Sequence, residues 1–434
     1  MLPRLHLKLL LRLAQKLRLM NKVSSYVKAF VLTHDRKEQQ AFNEDPLITR
    51  SIATNILLDV HDTGTRLIED AGAIRIPIQM HVAGSDWVVQ VAPQKKFFDR
   101  LESTEREWHY YPGFYHAIYH EIGREKVIES TRLFISRIFA MEERRPSLLD
   151  ADRNGYTRRE YDRLNLPAGN PVYLLNRWLL RSLGRLSDGI RLGMEEGFDS
   201  GVTLDYVYKN SPGGMTSLGR LIDKFYLNSI GWRGIRQRKI NMEKLLRSAI
   251  LQIQGEGRRV EIVDIAAGPG RYVLEAIREF PTESISATLR DYKQVNIEDG
   301  RRLAEKLALR NVRFQQGDAF DKDSLATLSP RPTLSIVSGL YELYADNEPV
   351  LRSLRGLAEA MDPGGYLLYT NQPWHPQVEF IARVLPNREG RPWIMRRRTQ
   401  EEMDELVETA GFTKVAMEID QWGIFTVSLA RKLR

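Results

Sequence analysis

The chain has 434 residues, room for two or three domains with real cores, and its lack of cysteine excludes disulfides and thiolate metal sites. Its net charge of +8 is a mild excess on 64 basic and 56 acidic residues, and no nucleic-acid-binding motif accompanies it, so no nucleic-acid partner is expected. No apolar run is long enough to span a bilayer.

Residues 1–22 are basic and leucine-rich with no acidic residue, and Arg4, Lys8, Arg12 and Lys16 fall at steps of four, along one helical stripe. A helix capping the following domain, a helix lying on a membrane surface and a targeting peptide are three competing readings. Charges interrupt every apolar run and no A-x-A cleavage site follows, which disfavours the third. The cap helix is preferred. The expected location is the cytoplasm, with peripheral membrane contact through residues 1–22 as the alternative.

Residues 74–86 (I-R-I-P-I-Q-M-H-V-A-G-S-D) read as a strand ending in Gly-Ser-Asp, and residues 108–116 (W-H-Y-Y-P-G-F-Y-H) as another strand ending in His. An amphipathic helix through Phe139 follows. With Val31–Asp35 and Asp45–Ile48 upstream, this stretch resembles the last third of α/β-hydrolases of the monoacylglycerol-lipase type. The resemblance implies that Asp86 and His116 are the acid and base of a triad. In that fold the order is Ser, acid, His, so the nucleophile should precede Asp86 in a G-x-S-x-G elbow. The chain has no G-x-S-x-G, and it begins where the family's cap would begin. The expectation is a partial hydrolase-like domain over residues 1–140 with a vestigial Asp86–His116 pair and no serine-hydrolase activity. Half a hydrolase sheet would also leave an unpaired edge. Either the protein is shortened or its start lies upstream.

Residues 141–215 read as a linker and helical extension. Residues 150–155 (D-A-D-R-N-G) begin like a calcium loop, but the twelfth position is Tyr161 instead of a bidentate Glu, so a turn capping the next helix is expected and no metal. Helical packing follows over 167–192. In the segment from Gly219 to Leu246, Phe225, Tyr226 and Trp232 read as core, with a lid over a ligand as the alternative. The basic run 233–239 reads as a solvated face.

Residues 260–273 (V-E-I-V-D-I-A-A-G-P-G-R-Y-V) read as a buried strand, a tight glycine turn and a helix start. Gly268 and Gly270 let a ligand approach the backbone closely. A dinucleotide fingerprint needs a third small residue where Val273 stands, and the carboxylate of Asp264 just before the turn suits a zwitterionic or cationic ligand better than a diphosphate. Further strands follow over 284–291, ending in Asp291, over 311–320, containing Asp318 and Ala319, over 333–338, and from Tyr366 after a Pro-Gly-Gly turn. Helices at 298–309 and 349–360 separate them. Such βα repeats imply a parallel sheet with right-handed crossovers. Strands 413–419 and 424–430, joined by a short Asp-Gln-Trp-Gly turn, must pair antiparallel.

This ordered set, over residues 216–434, resembles the class I S-adenosylmethionine-dependent methyltransferases, whose Rossmann-like sheet of parallel strands ends in an antiparallel hairpin. The fold class expected for the chain is therefore α/β, that sheet plus a partial α/β-hydrolase domain. The resemblance implies S-adenosylmethionine as cofactor. Asp264, Ala266, Gly268 and Gly270 would cradle its amino acid end, Asp291 would accept from the ribose, and Asp318 would accept from the adenine amine with Ala319 packed on the ring. No catalytic base stands out. Tyr341, Glu342 and His375 follow the fourth and fifth strands, the ligand-binding end of such sheets, and are the candidates. Tyr341 and Glu342 are the favoured pocket residues, and His375, between two prolines, reads as a surface turn. The expected acceptor is a small or lipid-like molecule. A regulatory protein that binds the cofactor without turnover, or a truncated form of a bifunctional hydrolase/methyltransferase, is the competing reading.

Overall fold

The computed structural model describes residues 22–433 apart from 26, 142–145 and 168. The basic segment before Lys22 and the linker at 142–145 therefore lie outside the described residues. The chain divides into two compact units, 1–146 and 147–434, with residues 147–215 in the second.

In the first unit, Ile78–Ala83 and Arg106–Tyr111 pair as parallel strands with Met80 opposite Trp108. Helix Val91–Arg100 makes the crossover, and helix Glu125–Phe139 follows. A small core of Ala83, Tyr111, Phe114 and Val127 holds these together. The segment at Val31–Asp35 is tied in by the buried carboxylate of Glu121, which accepts from the backbone N–H groups of His34 (2.9 Å), Tyr115 (3.1 Å) and Ile122 (2.8 Å).

The second unit opens with six helices: α1 (Tyr156–Asn165), α2 (Pro171–Ser182), α3 (Asp188–Glu196), α4 (Gly201–Lys209), α5 (Ser217–Leu227) and α6 (Ile230–Gly255). The calcium-like turn before α1 is spent on packing: Asp152 is buried and accepts from the Asn347 backbone N–H at 2.7 Å, and Gly155, at φ +102°, precedes the helix. Seven strands follow: β1 (Val260–Asp264), β2 (Ile285–Asp291), β3 (Val312–Gln316), β4 (Leu334–Val337), β5 (Tyr366–Asn371), β6 (Phe412–Ile419) and β7 (Thr426–Lys432). They form one sheet in the order β6-β7-β5-β4-β1-β2-β3, parallel except for the two antiparallel pairings of β7.

The central strands β1 and β4 are buried on both faces, which explains their richness in Val, Ile and Leu. Edge strand β6 alternates half-buried and exposed residues instead, with Phe412 buried at its start. The hairpin turn is locked by Asp420, whose carboxylate accepts from the N–H groups of Trp422 (2.7 Å) and Phe425 (2.6 Å). Helix α6 packs one face on the sheet through Met242, Leu246, Ile250 and Ile253. The strand reversal between β1 and β4 leaves a crevice at the carboxyl ends of the strands, where ligands of such sheets bind.

Candidate functional site: two adjoining cavities

The crevice holds a cavity of about 1070 Å³. Its floor is the turn after β1. Gly268 (φ +56°) and Gly270 (φ +73°) both occupy the left-handed region, which explains glycine at these positions. A Cβ on Gly270 would lie 2.4 Å from Leu289, so that position is closed by packing as well. A Cβ on Gly268 would meet only the Cα of Gly201, at 3.6 Å. The start of α4 therefore roofs the turn, with Ser200 capping the helix and Asp205 paired to Arg271 at 2.5 Å.

Ala266, Gly268, Gly270, Asp291, Asp318 and Ala319 all line this cavity. Asp291, at the end of β2, accepts from the Gly268 N–H (2.9 Å), the Lys293 N–H (2.9 Å) and the Asn296 amide (3.0 Å). It thus orients the glycine turn and faces the hollow at once. Asp318 is exposed there, one oxygen accepting from the Phe320 N–H at 2.8 Å. Phe320 and Tyr344 stack edge to face, 4.4 Å between centroids, and both line the same side.

Asp264 departs from its expected place. It is fully buried and does not line the cavity; its carboxylate accepts from the Tyr272 hydroxyl and the Ala266 N–H (3.3 Å). Burial pushes its pKa up to about 7, a rise that the Tyr272 hydroxyl and the Ala266 N–H oppose and the charge on Asp291 reinforces. Asp264 braces the turn from beneath.

A second, apolar cavity of about 390 Å³ adjoins the first. Phe198, Ile222, Trp232, Ile235, Trp393 and Phe425 give its character. Phe225 and Tyr226 line it too, so these aromatics and Trp232 bound the apolar cavity and do not form a lid over the first. Arg238, Gly339, Leu204 and Leu343 line both cavities and mark where they meet.

Arg238 corrects the reading of the basic run as a solvated face. It is buried, its guanidinium lies 5.0 Å from the Phe425 ring centre, and its Nη1 lies 3.9 Å from Glu342 Oε1. Glu342 Oε1 accepts from the Thr370 hydroxyl at 2.8 Å. Among the described residues, Arg238 Nε and Glu342 Oε2 are buried without a hydrogen-bond partner. Buried polar atoms are rarely left so; Arg238 lines both cavities and Glu342 the apolar one. Arg398 holds the Glu342 turn in place by donating to the Tyr341 carbonyl (2.6 Å) and the Asp346 carbonyl (2.8 Å).

The other two base candidates change places. The hydroxyl of Tyr341 turns into the core, donating to Ser353 at 2.9 Å, and burial raises its pKa, so it lines neither cavity. His375 is buried, not on a surface turn, and lines the apolar cavity, with Nδ1 accepting from the Gln377 N–H at 3.0 Å. Burial, with the nearby Arg397 charge, lowers its pKa to about 3, so the ring is neutral at physiological pH.

Sequence reasoning missed the roof over the glycine turn and the Asp199–Arg388 pair beside it, in which the Arg388 N–H (2.6 Å) and Nε (3.1 Å) donate to Asp199. The Asp-Ser-Gly at 199–201 was a legible helix-start signal, but nothing in it points to a fold partner nearly seventy residues downstream at Gly268.

In the first unit, Asp86 and His116 meet as expected: Nδ1 of His116 lies 2.9 Å from one Asp86 oxygen, and the other accepts from the Val88 (2.7 Å) and Val89 (2.9 Å) N–H groups.

Residues 131–432 match the family model described as "Putative methyltransferase", and residues 1–123 match that described as "Serine aminopeptidase, S33". The "Uncharacterized protein YnbC" of Escherichia coli K12 is 49% identical over 418 residues, covering 94% of this chain and 71% of that protein. A "Putative monoglyceride lipase" of Schizosaccharomyces pombe is 27% identical over 90 residues, covering 21% of this chain and 24% of that protein. Among solved structures, the magnesium protoporphyrin IX methyltransferase of Synechocystis, bound to SAH, is 12% identical with a TM-score of 0.38, covering 55% of this chain and 97% of that one. By its family model and its identity to YnbC, the chain belongs to the methyltransferase family so described, an S33 hydrolase-like segment preceding a sheet of the class I methyltransferase type.

Proposed function

We propose that this protein transfers a methyl group from S-adenosylmethionine, held in the larger cavity, to a small apolar acceptor held in the adjoining one. The observation that carries this reading is the junction: a polar hollow built on a glycine turn opens onto an apolar hollow at Arg238, Gly339, Leu204 and Leu343.

The residues present fit the cofactor. The turn at Gly268 offers bare backbone, Asp291 and Asp318 accept from hydroxyl and amine donors, and Phe320 and Tyr344 supply aromatic faces for an adenine. When bound, the cofactor supplies an electrophilic methyl on a sulfonium. The chain then has to align the nucleophile and exclude water. The aromatic and aliphatic lining of the acceptor cavity excludes water. Arg238 orients a negative or polar group of the acceptor from its unpartnered Nε. Glu342 Oε2, also unpartnered, is the group placed to take a proton from a hydroxyl or amine acceptor. His375, neutral and weakly basic, shapes the pocket and offers Nε2 as a hydrogen-bond partner.

Calorimetric titration with S-adenosylmethionine tests the first half: one site per chain is expected, and absence of binding overturns the assignment. Release of S-adenosylhomocysteine in the presence of a lipid extract separates an enzyme from a regulatory binder. For the first unit we propose a vestigial role. The Asp86–His116 pair is formed, yet no hydroxyl is hydrogen-bonded to His116 among the described residues, so the base has no nucleophile to activate. Cleavage of p-nitrophenyl esters that disappears on His116→Ala would contradict this.

A further inference from the structure

The acceptor cavity is lined in part by α2 and α5, and the surface they present is unusual. Both helices pack on the turn Leu183–Leu186, and both send inward residues to the cavity, Leu180 from α2 and Ile222 from α5. Their outward faces should then be polar. They are not. On α2, Leu174, Leu175 and Trp178 are exposed, Trp178 to 62%. On α5, Leu218, Leu221 and Phe225 follow at helical spacing and are also exposed. Phe225 is 72% exposed and lines the cavity at the same time, so it stands at its mouth.

The exposed charges on these two helices and on the turn they pack against have one sign. No acidic residue occurs from 166 to 187 or from 206 to 222, while Arg181, Arg185, Arg220 and Lys224 are exposed there. A helix pair apolar on both faces, with a basic rim and its one acid, Asp223, fully buried, matches the recognition chemistry of a bilayer with anionic headgroups. A protein partner would not require the apolar face to surround the mouth of an apolar cavity. We propose that α2 and α5 dock the methyltransferase unit on an anionic lipid surface, and that the acceptor is a membrane-resident lipid entering past Phe225. This rests on the reading of the adjoining cavity as the acceptor site. It uses a surface different from the basic segment before Lys22.

The test is co-sedimentation of the full chain with vesicles of phosphatidylcholine alone and of phosphatidylcholine containing phosphatidylglycerol. Binding is expected only to the second, weakening with salt. Arg181→Glu/Arg185→Glu should reduce partition by ~10-fold or more, from the usual contribution of each basic residue at an anionic surface. Leu174→Ser/Trp178→Ser should reduce it comparably. Neither pair lines a cavity, so calorimetric binding of S-adenosylmethionine should be unchanged and shows that both variants are folded. Loss of cofactor binding in the unmodified chain would sink the functional reading. Absence of vesicle binding, with cofactor binding intact, sinks this proposal alone. Undiminished vesicle binding by both variants, or a dimer in solution that Leu174→Ser/Trp178→Ser dissociates, also overturns it, the first assigning the contact to another segment and the second assigning the face to another copy of the chain.

Discussion

Replacing Asp291 with asparagine preserves shape and removes one charge, so it isolates what the carboxylate does. Its two oxygens accept from three donors: Gly268 N–H on one, Lys293 N–H and the Asn296 amide on the other. An asparagine must point its NH₂ at one of these sets. Turned toward Gly268, it faces a fixed backbone donor and frees the turn. Turned the other way, Asn296 can flip its unpartnered Oδ1 to meet it, but the Lys293 N–H still opposes a donor. Either orientation loses one hydrogen bond to a charged group and weakens the acceptor offered to the ribose. A bond of that kind contributes ~1.5–3 kcal/mol, so affinity for S-adenosylmethionine should fall by about 10- to 150-fold. Calorimetry on unmodified and substituted protein measures it, with a thermal melt to show that the variant folds. A folded variant that binds within about twofold of the original, well under 1 kcal/mol, would refute the placement of the cofactor on the β1–β2 edge.

Three further substitutions probe the surrounding parts. Gly270→Ala puts a side chain at φ +73° and 2.4 Å from Leu289, so a destabilisation of ~2–4 kcal/mol is expected in urea unfolding, and an unchanged midpoint would be inconsistent with the turn as described. Asp264 has its pKa raised to about 7 in the folded state, so the native protein holds a proton that the unfolded chain releases near pH 4, and stability drops as pH rises between these values. Asp264→Asn has no such proton to lose; its stability relative to the original should rise by up to ~4 kcal/mol from pH 4 to pH 8, and a flat difference would show that Asp264 is ionised throughout. Glu342→Gln should leave cofactor affinity intact and lower the rate of S-adenosylhomocysteine release by ~10²–10⁴, whereas an undiminished rate removes Glu342 as the base.

Much of the methyltransferase unit was legible because its signals are local. A strand covered on both faces is rich in Val and Ile, as β1 is at 260, 262 and 263, and the glycine turn announces itself because only glycine sits comfortably at the φ values of 268 and 270. The hairpin follows from a turn too short for a crossover. What stayed hidden depends on distance along the chain. Arg238 sits in a run of basic residues that a helix would ordinarily expose, and only the approach of β7's neighbour Phe425 and of Glu342 buries it. Asp264 looked like a ligand-facing acid because its position is that of one. The hydroxyl of Tyr272, eight residues on, claims it instead. His375 lies between prolines, which predicts a surface turn, yet the packing of α6 against it at Gly231 closes it from solvent.

Each hollow has its own exposed residue in its wall, Asp318 in the larger and Phe225 in the apolar one. On the proposed reading, spent donor and fresh recipient then need not queue at a single doorway. An enzyme so arranged can discharge a methylated product while the exhausted nucleoside is still seated, and reload from either side in any sequence, so its turnover is paced by whichever exit is slower and not by a compulsory order of arrivals.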